Sequence, residues 1–251
     1  MLRLMISGCN GFMGRATAAI AGEMPDVTVA AGVDINISDQ NGFPVFKKPS
    51  EYSGEIDVII DFSSPSALDD LLEFALEKKL PLVLCATGYS EKQLALIDTA
   101  AENIPVFRSG NMSLGINLLA DLIKRACAVL GEDFDVEIVE RHHRRKLDAP
   151  SGTAIMLADA AACALPYEPE YIYERESRRE PRQGREIGIS AVRGGGIVGE
   201  HEIIFASDHE VIELRHSAAT REVFAAGAIK AAKFMAVQNT NKLYDMSDVL
   251  A

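Results

Sequence analysis

The sequence predicts an α/β protein in two parts, a parallel sheet with crossover helices and a smaller α+β domain with a mixed or antiparallel sheet. Over roughly the first hundred residues, short apolar runs rich in β-branched residues alternate with amphipathic stretches. This alternation is typical of parallel strands joined by helices. After Asn111 the alternation stops, and three strand-like runs follow closely at 187–192, 201–206 and 211–214. Strands spaced this closely indicate antiparallel or mixed pairing.

The elements of the first part follow from the length and spacing of its apolar runs. Short apolar runs predict strands at 2–7, 27–33, 58–62, 82–85 and 105–107. Amphipathic stretches predict helices at 16–23, 67–78 and 91–101. Most strands are thereby separated from the next by a helix, which allows neighbouring strands to run parallel.

The second part has fewer helices. Helices are predicted at 114–130 and 154–165, with a strand at 135–139 between them and a charged, polar loop at 167–185 after them. The last predicted helix, 221–237, gathers apolar residues near one face. It must therefore pack on another part of the molecule, and we expect that part to be the first sheet.

Composition excludes several classes of function. The chain has 37 acidic and 25 basic side chains and a formal net charge of -12, which repels nucleic-acid phosphates and anionic lipid surfaces. Its four cysteines, at 9, 85, 127 and 163, include no CxxC pair, so we expect free thiols in a reducing cytoplasm. No run of about 18 apolar residues and no secretory leader is visible. We therefore expect a soluble cytoplasmic protein with no nucleic-acid or membrane partner.

The segment GCNGFMG, residues 8–14, lies between the first predicted strand and the first predicted helix. Its three glycines would form a tight turn, admit a pyrophosphate to the backbone and let the helix pack on the sheet. The second glycine stands one position later than in the GxGxxG pattern, with Asn10 in the usual place, so an ordinary strand-turn-helix is the alternative. Together with the parallel sheet, the segment predicts a Rossmann-type dinucleotide-binding domain.

Asp34 strengthens this interpretation. It ends the next apolar run about twenty residues after Gly14, where an acidic side chain accepts hydrogen bonds from an adenosine ribose. Ile35 follows it in place of an arginine that would bind a 2′-phosphate. The sequence therefore favours NADH over NADPH as the cofactor.

Two more glycine-containing segments follow predicted strands, CATG at 85–88 and SGNMSLG at 109–115. Ligands of open α/β sheets bind beyond the carboxyl ends of the strands. Both segments are therefore candidates for cofactor contacts, and ordinary turns are the alternative.

The stretch ERHHRRKLDAPSGTA, residues 140–154, begins with seven residues that include two histidines, three arginines and a lysine. Residues 151–153 open a predicted helix whose N–H groups and hydroxyls would attract a small carboxylate, with charge added by Lys146 and His143. His142 is the candidate for proton transfer, because imidazole has an unperturbed pKa of about 6.5. A solvated basic turn is the alternative. A metal site is disfavoured, because adjacent histidines on a strand point to opposite faces.

The pattern E-x-H-H-x-x-K-x-D-A-P-S-G-T-A in this stretch resembles the signature of the 4-hydroxy-tetrahydrodipicolinate reductase (dihydrodipicolinate reductase) family. Six other segments resemble the family along the chain: GCNGFMGR, DFSSP, ATG, GNMSLGIN, RGGGIVGEH and HSAATREVFAAGA. One such segment is compatible with chance, but seven in order indicate membership.

The resemblance implies a dinucleotide-binding domain at 1–112 and 218–251, a substrate-binding and oligomerisation domain at 113–217, and a homotetramer. It implies reduction of 4-hydroxy-2,3,4,5-tetrahydrodipicolinate, a small dicarboxylate imine, to 2,3,4,5-tetrahydrodipicolinate with loss of water, in the diaminopimelate route to lysine. The reductant would be NADH, with NADPH as the second cofactor. His142 corresponds to the family's proton donor, and Lys146 to its second proton-transfer residue.

Binding residues carry over from the family position by position. Substrate contacts correspond to His143, Gly152 and Thr153, beside Ser151 of the same predicted anion site. Cofactor contacts correspond to Gly8, Cys9, Asn10, Gly11, Phe12, Met13, Asp34, Cys85, Ala86, Thr87, Ser109, Gly110, Asn111 and Met112.

Three positions depart from the family pattern. Phe12 and Ile35 stand where members often carry arginine, and Cys85 stands where glycine is usual. The first two departures remove partners for a 2′-phosphate and agree with a preference for NADH. The third raises the hypothesis that the site is sensitive to thiol oxidation.

Four polar residues near the motif are expected to have supporting roles. Glu140 and Asp148 would orient the basic residues, and Arg193 and His201 would serve the sheet or a subunit interface. Two alternatives to the implied function stay open. One is a related two-domain NAD-dependent dehydrogenase of another amino or imino acid, such as aspartate, and the other is a non-catalytic NAD-sensing module.

Overall fold

The computed structural model describes residues 1–37 and 42–251 and divides the chain into two compact units. The first unit consists of Met1–Leu114 and Arg221–Ala251. The second unit consists of Gly115–Thr220. The chain therefore leaves the first unit once and returns to it.

The described residues form twelve strands and seven α-helices. The strands are β1 (Leu2–Ser7), β2 (Val27–Val33), β3 (Val45–Phe46), β4 (Val58–Asp61), β5 (Leu82–Leu84), β6 (Val106–Arg108), β7 (Asp135–His142), β8 (Glu170–Ile172), β9 (Glu186–Arg193), β10 (Glu200–Ala206), β11 (Val211–Ser217) and β12 (Leu243–Tyr244). The helices are α1 (Phe12–Glu23), α2 (Leu68–Lys78), α3 (Glu91–Ala101), α4 (Leu114–Leu130), α5 (Gly152–Ala162), α6 (Glu222–Met235) and α7 (Met246–Leu250). None of these helices is both long and apolar enough to cross a lipid bilayer.

The first unit is built on a seven-stranded sheet in the order β12-β6-β5-β4-β1-β2-β3, and all its neighbouring strands run parallel. The strand β1 lies between β2 and β4, so the order of the strands reverses there. In open α/β sheets, ligands bind at such a reversal, outside the carboxyl ends of the strands. The predicted fold class of this part is confirmed.

Helices cover both faces of this sheet, which is why its strands are mostly apolar. On one face, Leu68, Leu71 and Ile97 from α2 and α3 pack against the sheet. On the other face, α1 and α6 pack against it, with Ala228 and Ile229 of α6 in the buried cluster. The apolar face that the sequence assigns to the last long helix is thus buried on the first sheet.

The second unit contains a five-stranded mixed sheet in the order β11-β10-β7-β9-β8. The strand β10 is antiparallel to β7 and β11, whereas β9 is parallel to β7 and β8. Residues of α4 and α5, including Ile123 and Leu157, pack with Ile138 and Phe205 of the sheet in one buried cluster. The predicted mixed sheet is confirmed.

Sequence patterns missed several ends and edges. The helix α1 begins at Phe12 and β7 continues to His142, each beyond the predicted bounds. The two-residue strands β3 and β12 carry too little sequence to show a period. Tertiary pairing at the sheet edges defines these elements.

Gly227 tests the packing of α6. A Cβ atom at this position would lie 1.7 Å from the backbone oxygen of Met112, so Gly227→Ala should lower the free energy of unfolding by about 1–3 kcal/mol through overpacking. The matched control is Gly22→Ala in α1, where nothing lies within 4 Å of the new Cβ. The control should be neutral or more stable by about 0.5–1 kcal/mol, because alanine favours a helix over glycine. Urea unfolding measures both variants, and equal stabilities would contradict the described packing.

Candidate functional site

The loop after β1 is held in a conformation that only glycine adopts without strain. Gly8 has a φ of 72°, and a Cβ there would lie 2.8 Å from the backbone carbonyl of Phe62. A Cβ at Gly14 would lie 2.1 Å from the backbone oxygen of Gly8. The loop, the start of α1 and the segment after β4 are therefore in backbone contact.

The N-terminus of α1 opens onto this loop without a side-chain cap from the described residues. Its N-cap is Gly11, which has no side chain to accept a hydrogen bond. By contrast, Ser90 caps α3 and Ser151 caps α5 with their hydroxyls. The first N–H groups of α1 are thus suited to an anionic ligand, to which the helix dipole also adds attraction.

Asp34 lies at the carboxyl end of β2, beside the same loop. Its Oδ2 accepts a hydrogen bond from the backbone N–H of Asn10 at 2.9 Å, and its Oδ1 accepts one from that of Asn36 at 3.0 Å. Predicted site residues Gly8, Asn10, Gly11 and Asp34 line one cavity of about 450 Å³. The remaining lining residues are Ser7, Val33, Ile35, Asn36, Lys47, Phe62, Ser63, Ser64, Ser66 and Ala67.

The side chains of two predicted cofactor residues, Cys9 and Met112, are buried. Cys9 is fully buried, and burial, with the nearby Asp34 carboxylate, raises the pKa of its thiol to about 11. Met112 packs in the core cluster that includes Phe107. Neither residue lines this cavity. Phe12 is exposed and Met13 is half-buried at the start of α1.

A second cavity, of about 180 Å³, lies beyond β5 and β6. Predicted residues Ala86, Thr87, Ser109 and Gly110 line it, together with Gly88, Tyr89, Leu94 and Arg108. Asn111 is buried beside this loop, where its Oδ1 accepts a hydrogen bond from the backbone N–H of Ser113 at 2.9 Å. The structure thus gathers the two predicted glycine-containing segments around one small cavity of the first unit.

In the sequence, Cys85 lies between the residues that line the first cavity and those that line the second. Its thiol is close to a buried carboxylate. Asp61, at the end of β4, is fully buried, and its burial raises its pKa in spite of hydrogen bonds from Ser63 and Tyr89. Burial and the Asp61 carboxylate raise the pKa of the Cys85 thiol well above its ordinary value. A protonated thiol is a poor nucleophile, so the structure weighs against the hypothesis of an oxidation-sensitive site.

In the second unit, the carboxyl end of β7 carries the candidate catalytic residues. Side chains alternate along this strand, so Val136, Ile138, Glu140 and His142 share its buried face. Val136 and Ile138 belong to the hydrophobic core. Glu140 and His142 form a buried polar pair at the end of the same face. His142 Nδ1 lies 2.6 Å from Glu140 Oε2. An ionised Glu140 accepts a hydrogen bond from the Nδ1–H of His142, which leaves Nε2 as the nitrogen for proton exchange.

Glu140 is fully buried, yet every described contact of its carboxylate favours the charged form. Arg193 donates two hydrogen bonds to its two oxygens, each 2.7 Å long. The backbone N–H of Ser151 donates a third, at 2.9 Å to Oε1. Desolvation raises the pKa of Glu140, but these bonds and that from His142 outweigh it and leave the pKa below its usual value.

His201 completes this polar group from β10. Its Nε2 lies 3.1 Å from the Ser151 hydroxyl, and its ring lies edge-on to His142 with centroids 5.2 Å apart. It is 4% exposed. Burial, followed by the proximity of His142, lowers its pKa to about 4, so His201 is neutral at physiological pH. The sequence did not predict the contact of Arg193 with Glu140 or that of His201 with Ser151.

The predicted anion site lies at the start of α5. The Ser151 hydroxyl accepts a hydrogen bond from the backbone N–H of Ala154 at 3.1 Å, and Gly152 and Thr153 form the first turn. Lys146 Nζ lies 2.9 Å from Asp148 Oδ2, and this hydrogen bond lowers the pKa of Asp148. His143 is half-buried after the end of β7. Across residues 1–37 and 42–251, no group of three or more His, Cys, Asp or Glu side chains is arranged to hold a metal ion.

Two family models match the two halves of the chain. The model described as dihydrodipicolinate reductase, N-terminus, matches residues 2–112, and the model described as dihydrodipicolinate reductase, C-terminus, matches residues 115–250. The chain belongs to the dihydrodipicolinate reductase family. The family predicted from the motifs is confirmed.

Individual relatives of the family match over the whole chain. A 4-hydroxy-tetrahydrodipicolinate reductase of Caldanaerobacter subterraneus subsp. tengcongensis is 52% identical over 250 residues, which cover 100% of this chain and 98% of that protein. The protein of the same name from Clostridium tetani is 50% identical over 94% of this chain and 92% of its own length. Dipicolinate-bound dihydrodipicolinate reductase from Paenisporosarcina sp. TG-14 superposes with a TM-score of 0.83 at 25% identity, covering 98% and 97% of the two chains.

Because His201 is buried, we expect the folded protein to lose stability in mild acid. Its unfolded pKa of about 6.5 exceeds its folded pKa of about 4, so the unfolded state binds the proton first as the pH falls through this window. We expect His201 to lower the free energy of unfolding by about 2 kcal/mol between pH 6.5 and pH 5. Urea unfolding of His201→Gln should show a flatter pH dependence by that amount. His209→Gln, which removes an exposed histidine, is the control, and equal slopes for the two variants would refute the assignment.

Proposed function

We propose that this chain catalyses the reduction of 4-hydroxy-2,3,4,5-tetrahydrodipicolinate by NADH or NADPH. One substrate, one reduced dinucleotide and one proton give 2,3,4,5-tetrahydrodipicolinate, water and the oxidised dinucleotide, in the diaminopimelate route to lysine. The observation that carries this proposal is the Glu140-His142 pair beside the N-terminus of α5, because it combines a proton-exchanging imidazole with an anion site. Membership of the family and the names of the relatives agree with it.

The first unit is proposed as the dinucleotide-binding domain, because its site fits a dinucleotide. Side chains at Gly8 and Gly14 would collide with backbone atoms, and the uncapped start of α1 suits a pyrophosphate. Asp34 stands where a ribose hydroxyl would donate to a carboxylate. A reduced nicotinamide dinucleotide, when bound, supplies the hydride. NADH is the proposed preference, because the Asp34 carboxylate would repel a 2′-phosphate.

The second unit is proposed as the substrate-binding and oligomerisation domain. Ser151, Gly152 and Thr153 would bind a substrate carboxylate at the start of α5, with His143 adding a donor. His142 would donate the proton through Nε2, because Glu140 occupies Nδ1. Lys146 would act as the second proton-transfer residue. The relative from Paenisporosarcina is bound to dipicolinate, which supports a dicarboxylate ligand for this chain.

We further propose a cytoplasmic homotetramer. The four cysteines are free thiols, as expected in a reducing compartment. The edge strand β11 and helix α4 share a shallow apolar groove of about 300 Å³, lined by residues that include Leu122, Val129 and Ile212. Exposed apolar surface of this kind is typical of subunit contacts. Sedimentation velocity of the purified chain measures the oligomeric state.

A coupled assay tests the reaction. Aspartate semialdehyde, pyruvate and a dihydrodipicolinate synthase generate the substrate in place, and absorbance follows oxidation of NADH or NADPH. His142→Gln should lower kcat by about 100-fold, the usual effect of losing a general acid. His209→Gln, at an exposed histidine, should keep the wild-type rate. No oxidation of either cofactor by the wild type would disprove the proposed function.

Glu140→Gln tests the orientation of His142. Loss of the carboxylate removes the acceptor that orients the His142 ring through Nδ1, so kcat should fall by about 10-fold to 100-fold while KM changes less. The matched control is Glu137→Gln, on the opposite face of the same strand, where the carboxylate pairs with Arg175 and Arg182. Nitrogen-15 NMR of the His142 ring should report a changed tautomer only in Glu140→Gln. An unchanged tautomer and rate would refute the positioning role.

A further inference from the structure

We infer that Lys47 provides a cation for the 2′-phosphate of NADPH, so that the nucleotide cavity accepts NADPH as well as NADH. This inference rests on the proposed function, because it concerns the adenosine end of the proposed cofactor site. The sequence places no arginine after Asp34. Lys47 lies 13 positions further along the chain than Asp34, and only the pairing of the strands brings it to the same cavity.

The register of β2 and β3 fixes the backbone position of Lys47. The strands pair in parallel with Gly32 opposite Val45 and Val33 opposite Phe46. The backbone N–H of Asp34 then donates to the backbone oxygen of Phe46 at 2.9 Å. Lys47 directly follows Phe46, so Asp34 and Lys47 leave neighbouring strands at the same carboxyl edge.

The charges around the cavity give Lys47 its role. Among the described residues that line this cavity, Asp34 is the acidic one and Lys47 is the basic one. Ile35 is 96% exposed, and its aliphatic side chain offers no charge or hydrogen-bond donor to a phosphate. Asp34 suits a ribose hydroxyl but repels a 2′-phosphate. A lysine ammonium on a flexible stem binds phosphate as a point charge and offsets that repulsion.

The ammonium of Lys47 is also available, in contrast to that of its neighbour. Within the residues that the structure describes, the Lys47 side chain forms no ion pair, and its backbone N–H donates to Glu51 at 3.2 Å. The adjacent Lys48 instead lies 3.2 Å from Asp70 in an ion pair and does not line the cavity. The two lysines therefore provide a matched pair of positions with equal charge and different surroundings.

The test measures binding of NADPH and NADH to the full-length protein without substrate, by the fluorescence of the reduced nicotinamide. Lys47→Met should weaken NADPH binding by about 10-fold or more, the scale of one hydrogen bond to a charged group, and leave NADH binding within about 2-fold. Lys48→Met should change neither. Higher salt should weaken NADPH binding by wild type more than by Lys47→Met, because exposed charges are screened.

The outcomes separate this inference from the proposed function. Selective loss of NADPH affinity in Lys47→Met supports the inference even if the coupled assay shows no turnover. If Lys47→Met loses affinity for both dinucleotides equally, or for neither, the inference is overturned even if the wild type reduces the substrate. The same loss of NADPH affinity in Lys48→Met also overturns it, because the effect would then reflect net charge. Thermal unfolding of both variants shows whether each is folded.

Discussion

The buried carboxylate of Glu140 organises the chemistry of the second unit. A fully buried charge is costly unless its partners satisfy it, and here Arg193, His142 and the backbone of Ser151 supply those partners. The same contacts fix the ring of His142 and the start of α5. One electrostatic requirement thus positions both the His142 ring and the start of α5.

The two proposed anion sites are built in different ways. In the first unit, glycines let the backbone of the loop after β1 approach α1 and the segment after β4, and the uncapped helix provides N–H donors. In the second unit, Ser151 caps α5 with its hydroxyl. Both depend on the dipole of a helix N-terminus.

The basic stretch in this acidic protein is partly neutralised by its own neighbours. Arg141 lies 2.6 Å from Glu202, and Lys146 lies 2.9 Å from Asp148. Arg144 and Arg145 are exposed. The local positive charge that composition suggests is therefore smaller than a count of basic residues implies.

The sequence by itself determined the fold class, the glycine-rich loop after β1 and the family, because the alternation of apolar runs, the glycine spacing and the 140–154 motif are local patterns. It also indicated His142 and Asp34 as site residues. Only the tertiary structure decided that Arg193 contacts Glu140, that His201 contacts Ser151, and that Lys47 lines the same cavity as Asp34. Arg193 and His201 lie on other strands, and Lys47 directly follows one. No periodic pattern in the sequence links them to the motifs. Strand register, which depends on long-range packing, brings them together.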